Sequence, residues 1–216
     1  MPIMISSAAL RAHNPCKFRW KVHLKHIGKT RPSKALYTLE TCLDSNGFDD
    51  ALSNGFDDAL WALRAVKGHD GAIRLFACYC AKHALPAFEK EFPDDKRPRE
   101  AIETAERFAR GQSSEYELAA ASAAASAAAS IAASTNASTA ASTAAWAAIW
   151  AAAHDSAHDA VHRAVYAAAW AGAHDAAHDA VHHAAYTAAH DAAVDDFQRE
   201  FRRMCRLEGE YGEVDK

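Results

Sequence analysis

Residues 122–150, SAAASAAASIAASTNASTAASTAAWAAIW, and residues 154–190, HDSAHDAVHRAVYAAAWAGAHDAAHDAVHHAAYTAAH, decide the fold. Every fourth position is large or hydroxylated: Ser122, Ser126, Ser130, Ser134, Ser138 and Ser142 lead to Trp146 and Trp150. The register continues through His154, His158, His162, Tyr166, Trp170, His174, His178, His182, Tyr186 and His190. The positions between are overwhelmingly Ala, the strongest helix former, and no Pro follows Pro98. A four-residue step advances about 40° around a helix, so four or five rungs share a face while nine would circle it. A single helix of about 70 residues would be roughly 105 Å long at about 1.5 Å per residue. Shorter helices packed as hairpins through their Ala faces are the expectation. The expected break is Ser134–Thr139, where small polar side chains compete for backbone hydrogen bonds. Gly172 is a second candidate break or kink.

Working outward, the rest of the chain also reads as helix, and the fold class is all-α. A compact helical domain over residues 12–111 precedes Ala-rich tetrad-repeat helices over 112–208 and a frayed tail, 209–216. Asn14-Pro15 reads as N-cap and first position of a helix that buries Trp20 and Leu24 and stops at Gly28. A strand competes there, because Phe18, Trp20, Val22 and Leu24 also alternate. Further helices are expected over 33–43, 56–68 and 70–92, the last kinked or divided by Pro86, and from Pro98 to Gly111. A final amphipathic helix carries Phe197, Phe201, Met204 and Leu207. Two duplications underlie this pattern. SNGFDDAL occurs at 45–52 and again at 53–60, and residues 154–173 match 174–193 at 13 of 20 positions. Stacked repeat units or slippage in a repetitive gene would each leave such a trace.

Charge is distributed unevenly around a net of −4. Residues 1–39 carry Arg11, Lys17, Arg19, Lys21, Lys25, Lys29, Arg31 and Lys34 and no acid, whereas residues 113–198 carry nine acids and one base, Arg163. The halves could attract each other within the fold, or one could face a charged partner: nucleic acid for the basic segment, a basic protein surface for the acidic one. Ser, His and Asp interrupt the Ala tract, so no membrane span is expected. The first residues lack the charged start and apolar core of a secretory signal, and five cysteines lack framework spacing, so a reducing cytoplasm is the expected location. Cys78 and Cys80 read as small buried residues, not a metal or redox pair.

At residues 74–111, RLFACYCAKHALPAFEKEFPDDKRPREAIETAERFARG, the chain resembles the immunity proteins of bacterial polymorphic toxin systems, which phages also carry. The matching residues are Arg74–Cys78, Ala84–Pro86, Arg97-Pro98, Ala101–Glu103 and Ala109–Gly111, with Cys16, Cys42 and Trp61 fitting more loosely. The resemblance implies a helical, non-enzymatic inhibitor that binds and neutralises a protein partner, a toxin, and it carries no catalytic residues. A phage-encoded antagonist of a bacterial defence component is the neighbouring reading.

The His ladder is the main chemical feature. Asp155–His158, Asp159–His162, Asp175–His178 and Asp179–His182 are one-turn neighbours on a helix, where a carboxylate favours the imidazolium. These eight residues are the candidate partner-binding surface, against the plainer reading of a solvated polar stripe. His154, His158, His174 and His178 form the alternative, a Zn or Ni site. Three rungs span about 12 Å on one straight helix, so one ion with bonds of about 2.0 Å would need ligands from a second helix. HDSAH and HDAAH resemble HExxH with a shorter acid, but tandem repetition is unlike a catalytic motif, and P-loop, GxSxG and dinucleotide fingerprints are missing.

Overall fold

The computed structural model describes residues 1–45, 54–135, 137–152, 157–178 and 183–214, with the backbone alone at 54–55, 57, 158–160, 162, 172–178 and 183–189. Among these residues the chain is all-α, with ten helices and one small antiparallel sheet. The helices are α1 (Ser7–Arg11), α2 (Lys17–His26), α3 (Glu40–Asp44), α4 (Asn54–Ala62), α5 (Asp70–Glu91), α6 (Arg97–Ala109), α7 (Glu115–Ser134), α8 (Thr139–Ala151), α9 (Ala157–His178) and α10 (His183–Cys205). Strands β1 (Met4–Ser6) and β2 (Leu36–Thr38) pair with Ile5 opposite Tyr37.

Helix α5 is the axis of the molecule. Residues 72–78 are buried without a gap, so this helix has no solvent face there and is wrapped by α6, α8 and α9. Its predicted core residues, Ile73, Phe76, Ala77, Cys80, Ala84, Leu85 and Phe88, are all buried. Pro86 removes one backbone donor, yet the helix is not divided and continues to Glu91, because Leu85 and Phe88 anchor both sides. Phe201 of α10 packs edge-on against Phe76 at 5.6 Å and Phe56 of α4 at 5.8 Å. A buried Phe contributes about 1.5–3 kcal/mol.

The Ala-rich stretch folds as a chain of packed helices. α7 packs on α6 and α8, α8 on α9, and α9 on α10. The break falls where the small polar residues stand: α7 ends at Ser134 and α8 begins at Thr139. Ser138 makes the new start by accepting from the Ala141 amide at 3.1 Å, while its own N–H donates to Glu91 at 3.0 Å. The inner faces are Ala125, Ala128, Ala129 and Ala132 on α7, and Ala144, Ala145, Ala147, Ala148 and Ala151 on α8. With only methyl groups between them, such helices can approach to about 8 Å. The serine rungs lie outside and serve themselves. Ser126 Oγ donates to the Ser122 carbonyl and Ser130 Oγ to the Ser126 carbonyl, each at 2.9 Å, because a four-residue step is also the helix hydrogen-bond step.

Four expectations need correction. Gly172 does not break a helix; it lies inside α9. Asn14 does not cap α2, which starts at Lys17 behind Cys16; Asn14 instead has a φ of +53° and ends the turn after α1, its N–H reaching the Arg11 carbonyl at 3.3 Å. Residues 33–43 are not one helix. The extended N-terminal strand recruits Leu36–Thr38, and Ser7 grips Ser33 with hydrogen bonds of 2.8 and 3.2 Å, so only Glu40–Asp44 is helical. The segment after Gly209 is not frayed as far as it is described. It forms a tight turn that buries Tyr211, whose hydroxyl donates to Glu200 at 2.9 Å.

Charged contacts fasten the first elements to α10. Arg202 bridges Glu40 and Asp44 at 2.7 Å each, and Arg206 grips Glu40 with two bonds of 2.6 and 2.9 Å. The Ile3 amide donates to the Cys205 carbonyl at 2.7 Å. One buried apolar cluster consequently runs from Ile3 to Tyr211.

Candidate functional site

Two features stand out among the described residues: a cavity beside α2 and an aromatic surface on α8 and α9. The cavity arises because α2 is poor in apolar residues and buries only His23 and Leu24. One face of this helix, Cys16, Arg19, Trp20 and His23 at one- and two-turn spacing, stands over Leu10, Cys42, Ser45, Asp58, Trp61 and Ala62 without filling the space. About 300 Å³ remains between them. Arg19 Nη1 donates to Asp58 Oδ1 at 2.8 Å, tying α2 to α4 across the cavity.

His23 is the polar floor of the cavity, only 6% exposed. Ser45 Oγ gives its proton to the Cys42 carbonyl at 3.0 Å, so toward His23 Nδ1, also at 3.0 Å, it can only accept. Nδ1 therefore carries the proton, and Nε2 accepts from the Tyr37 hydroxyl at 2.7 Å. Burial, reinforced by the charge of nearby His26, pulls this imidazole down to about 4, and burial raises the Tyr37 phenol. The ring is neutral and fixed in one tautomer.

Cys16 is different from the other thiols. It is exposed and stands at the N-cap position of α2, where the nearby backbone N–H groups of Arg19 and Phe18, with the Arg19 charge, lower it from the ordinary cysteine value. Burial pushes Cys42 and Cys78 up to about 12 and Cys80 and Cys205 well above the usual range.

On the other side, Trp146 and Trp150 of α8 stack at 5.9 Å and 24°. The Arg163 guanidinium of α9 lies 4.3 Å over the Trp150 ring. Trp146 is 43% exposed, and Trp170, two turns beyond Arg163 on α9, is 49% exposed. The stack follows from the register: α8 turns its Ala and Ile149 inward, so the fourth-residue positions, Trp146 and Trp150, lie outward.

The predicted ladder falls partly outside the described residues. His154, Asp155, Asp179 and His182 lie outside them. His158, Asp159, His162, His174, Asp175 and His178 are on the backbone of α9, their side chains undescribed. Among the described residues, no three His, Cys, Asp or Glu side chains gather as they would around a metal ion. No described helix is long and apolar enough to cross a membrane. Sequence reasoning did not single out the cavity: Cys16, Cys42 and Trp61, which line it, entered only as the looser matches of the family resemblance, and His23 and Ser45 come from separate elements. The Trp–Arg surface was signalled by the tetrad register and by Arg163 as the single base of residues 113–198.

No curated protein and no solved structure matches the chain. The model of one family matches residues 67–192, over half of the 216, from the loop before α5 into α10, so that the central helix, the Ala-packed helices and the aromatic surface all lie within the match. The chain belongs to the family described as Imm-5 like putative immunity protein.

Proposed function

We propose that this chain is a non-enzymatic inhibitor that neutralises a protein toxin by covering its working surface, and that the outer face of α8 and α9 makes the contact. The observation that carries this reading is the stack of exposed Trp146 on half-buried Trp150 with Arg163 laid over it, inside the family-matched segment. Trp and Arg are the residues that most often dominate binding energy when an interface closes over them. Three aromatic or guanidinium planes already in register lose little side-chain entropy on binding. The ladder residues Asp155, His158, Asp159, His162, Asp175, His178, Asp179 and His182 lie near this stretch in the sequence and would supply charge for a basic partner.

The described polar clusters suit structural work. Asp196 of α10 accepts from Tyr79 at 2.7 Å and Arg199 at 2.7 Å and lies 3.1 Å from His83, which fastens α10 to α5. Co-expression with the toxin encoded by an adjacent gene tests the proposal in cells. Survival with the native chain, and its loss with Trp146→Ala/Trp150→Ala at equal soluble yield, is the expected result. Protection that persists in the double variant would move the interface elsewhere; no protection by the native chain would sink the neutralising role.

A further inference from the structure

Helix α2 has two unlike faces. Cys16, Arg19, Trp20 and His23 stand over the cavity, while Lys17, Phe18, Lys21 and Lys25 are exposed on the side turned away from it. We infer that this outer face binds single-stranded nucleic acid, its phosphates held by the lysines and one base by Phe18. The face lies outside residues 67–192, and the toxin-binding reading makes no use of it.

The helix itself lines the cations up. Lys17, Lys21 and Lys25 follow at the four-residue step, each about 40° further round and about 6 Å further along the axis, so three ammonium groups cover about 12 Å. Phe18 projects about 20° beyond Lys25 around the axis and is 75% exposed. Lys29, Arg31 and Lys34 carry the positive charge into the exposed segment that follows the helix. Residues 1–39 contain no acid, and among the described residues none of these six cations has an ion-pair partner. Asp58, the acid that α2 does contact, is held by Arg19 on the cavity side, at least about 120° round the axis from the lysines. Charges more than about 8 Å away are largely screened at physiological salt, so this local field, and not the net charge of −4, decides what approaches the face.

The aromatic ring selects among polyanions. A cationic track with an exposed ring beside it suits a single strand, whose phosphates meet the ammonium groups while an unstacked base lies on the ring. A duplex keeps its bases stacked and offers Phe18 no base face. An acidic peptide satisfies the lysines and leaves the ring without a partner. A lipid surface calls for a broad apolar face, and α2 turns Trp20 and Leu24 inward, leaving Phe18 as its one large hydrophobic residue that is mostly exposed. Neither the ammonium groups nor the ring reads the sugar, so RNA and DNA strands are equivalent ligands.

The test uses the purified full chain and labelled probes read by fluorescence anisotropy. The probes are oligothymidylate and oligouridylate of about 12 nucleotides, a DNA duplex of that length and a polyglutamate peptide of matching charge. Both single strands should bind at about 1–100 µM, within about threefold of each other and at least about fivefold more tightly than the duplex or the peptide. The logarithm of affinity should fall with the logarithm of salt concentration at a slope of about −2 to −4, for three to six phosphates neutralised. Lys17→Gln/Lys21→Gln/Lys25→Gln should make that slope shallower by about 2, whereas Phe18→Ala should weaken binding at least about fivefold and leave the slope unchanged. Thermal melting should not fall in either variant, since all four positions are exposed. Duplex or polyglutamate binding as tight as the single strands, a larger difference between the two strands, or single-strand affinity indifferent to either variant would each overturn the inference. None of these results depends on toxin neutralisation in cells, so the two proposals fail separately.

Discussion

His23 should make stability depend on pH in a defined window, and its geometry sets the sign. In the folded chain the imidazole is neutral, donating to Ser45 and accepting from Tyr37, and it takes a proton only at about pH 4, against 6.5 when unperturbed. Between those values the unfolded chain binds a proton that the folded chain refuses. The contribution of His23 is therefore complete above about pH 6.5 and declines as pH falls toward 4. A shift from 6.5 to about 4 corresponds to about 3 kcal/mol at about 1.36 kcal/mol per pH unit. Water entering the adjoining cavity screens part of this, so about 2–3 kcal/mol is expected. The assay is urea denaturation of the native chain and His23→Gln at a series of pH values. At about pH 7.5 the variant should be less stable by about 1–3 kcal/mol, because Ser45 and Tyr37 lose well-placed partners. That gap should shrink by about 2–3 kcal/mol on acidification to about pH 4, since glutamine does not titrate there while carboxylate effects are common to both chains. Parallel curves across the window would refute the argument and show that the imidazole reaches solvent.

Three further outcomes follow from the packing and the charges. Ala148→Leu, at a fully buried position, should cost about 1–3 kcal/mol by overpacking, whereas Ser130→Ala on the exposed rung should be neutral or stabilising by up to about 0.5 kcal/mol; thermal melts of both decide whether the Ala face is the packed one. Glu40→Gln should lose about 1–3 kcal/mol in denaturant titration: burial raises the Glu40 carboxyl, Arg206 and Arg202 lower it further, and the net depression means that its contribution disappears as pH falls through its folded value. A maleimide should modify one thiol of the native chain rapidly, and Cys16→Ser should remove that fast phase, since Cys42, Cys78, Cys80 and Cys205 are buried and raised; mass spectrometry counts the adducts.

What the sequence revealed and what it concealed divide along the range of the forces involved. Helix α5 and its core were legible because Ile73, Phe76, Cys80 and Phe88 follow the helix period within one uninterrupted segment. The turn between α7 and α8 was legible for a related reason: Ser138 caps a helix by a bond to Ala141, three residues away. Residues 33–43 misled because their period-compatible leucines say nothing of Met4–Ser6, about 30 positions earlier, whose strand takes Leu36–Thr38 as partner. Tyr211 misled likewise, since its anchor, Glu200, is buried only when α10 docks. The two candidate surfaces follow the same division. The Trp146–Trp150 stack lies one helical turn apart and could be anticipated from spacing, with Arg163 of the neighbouring helix completing it. The cavity could not, because its walls come from α1 to α4 and the tautomer of His23 is set by Ser45 and Tyr37 from two other elements. A repetitive sequence makes this contrast sharper. The Ala-rich array specifies little beyond helix and close approach, so chemistry that distinguishes this chain must rest on what interrupts the Ala: the Trp rungs, Arg163, and the basic segment whose helix α2 buries too little to fill the space beneath it.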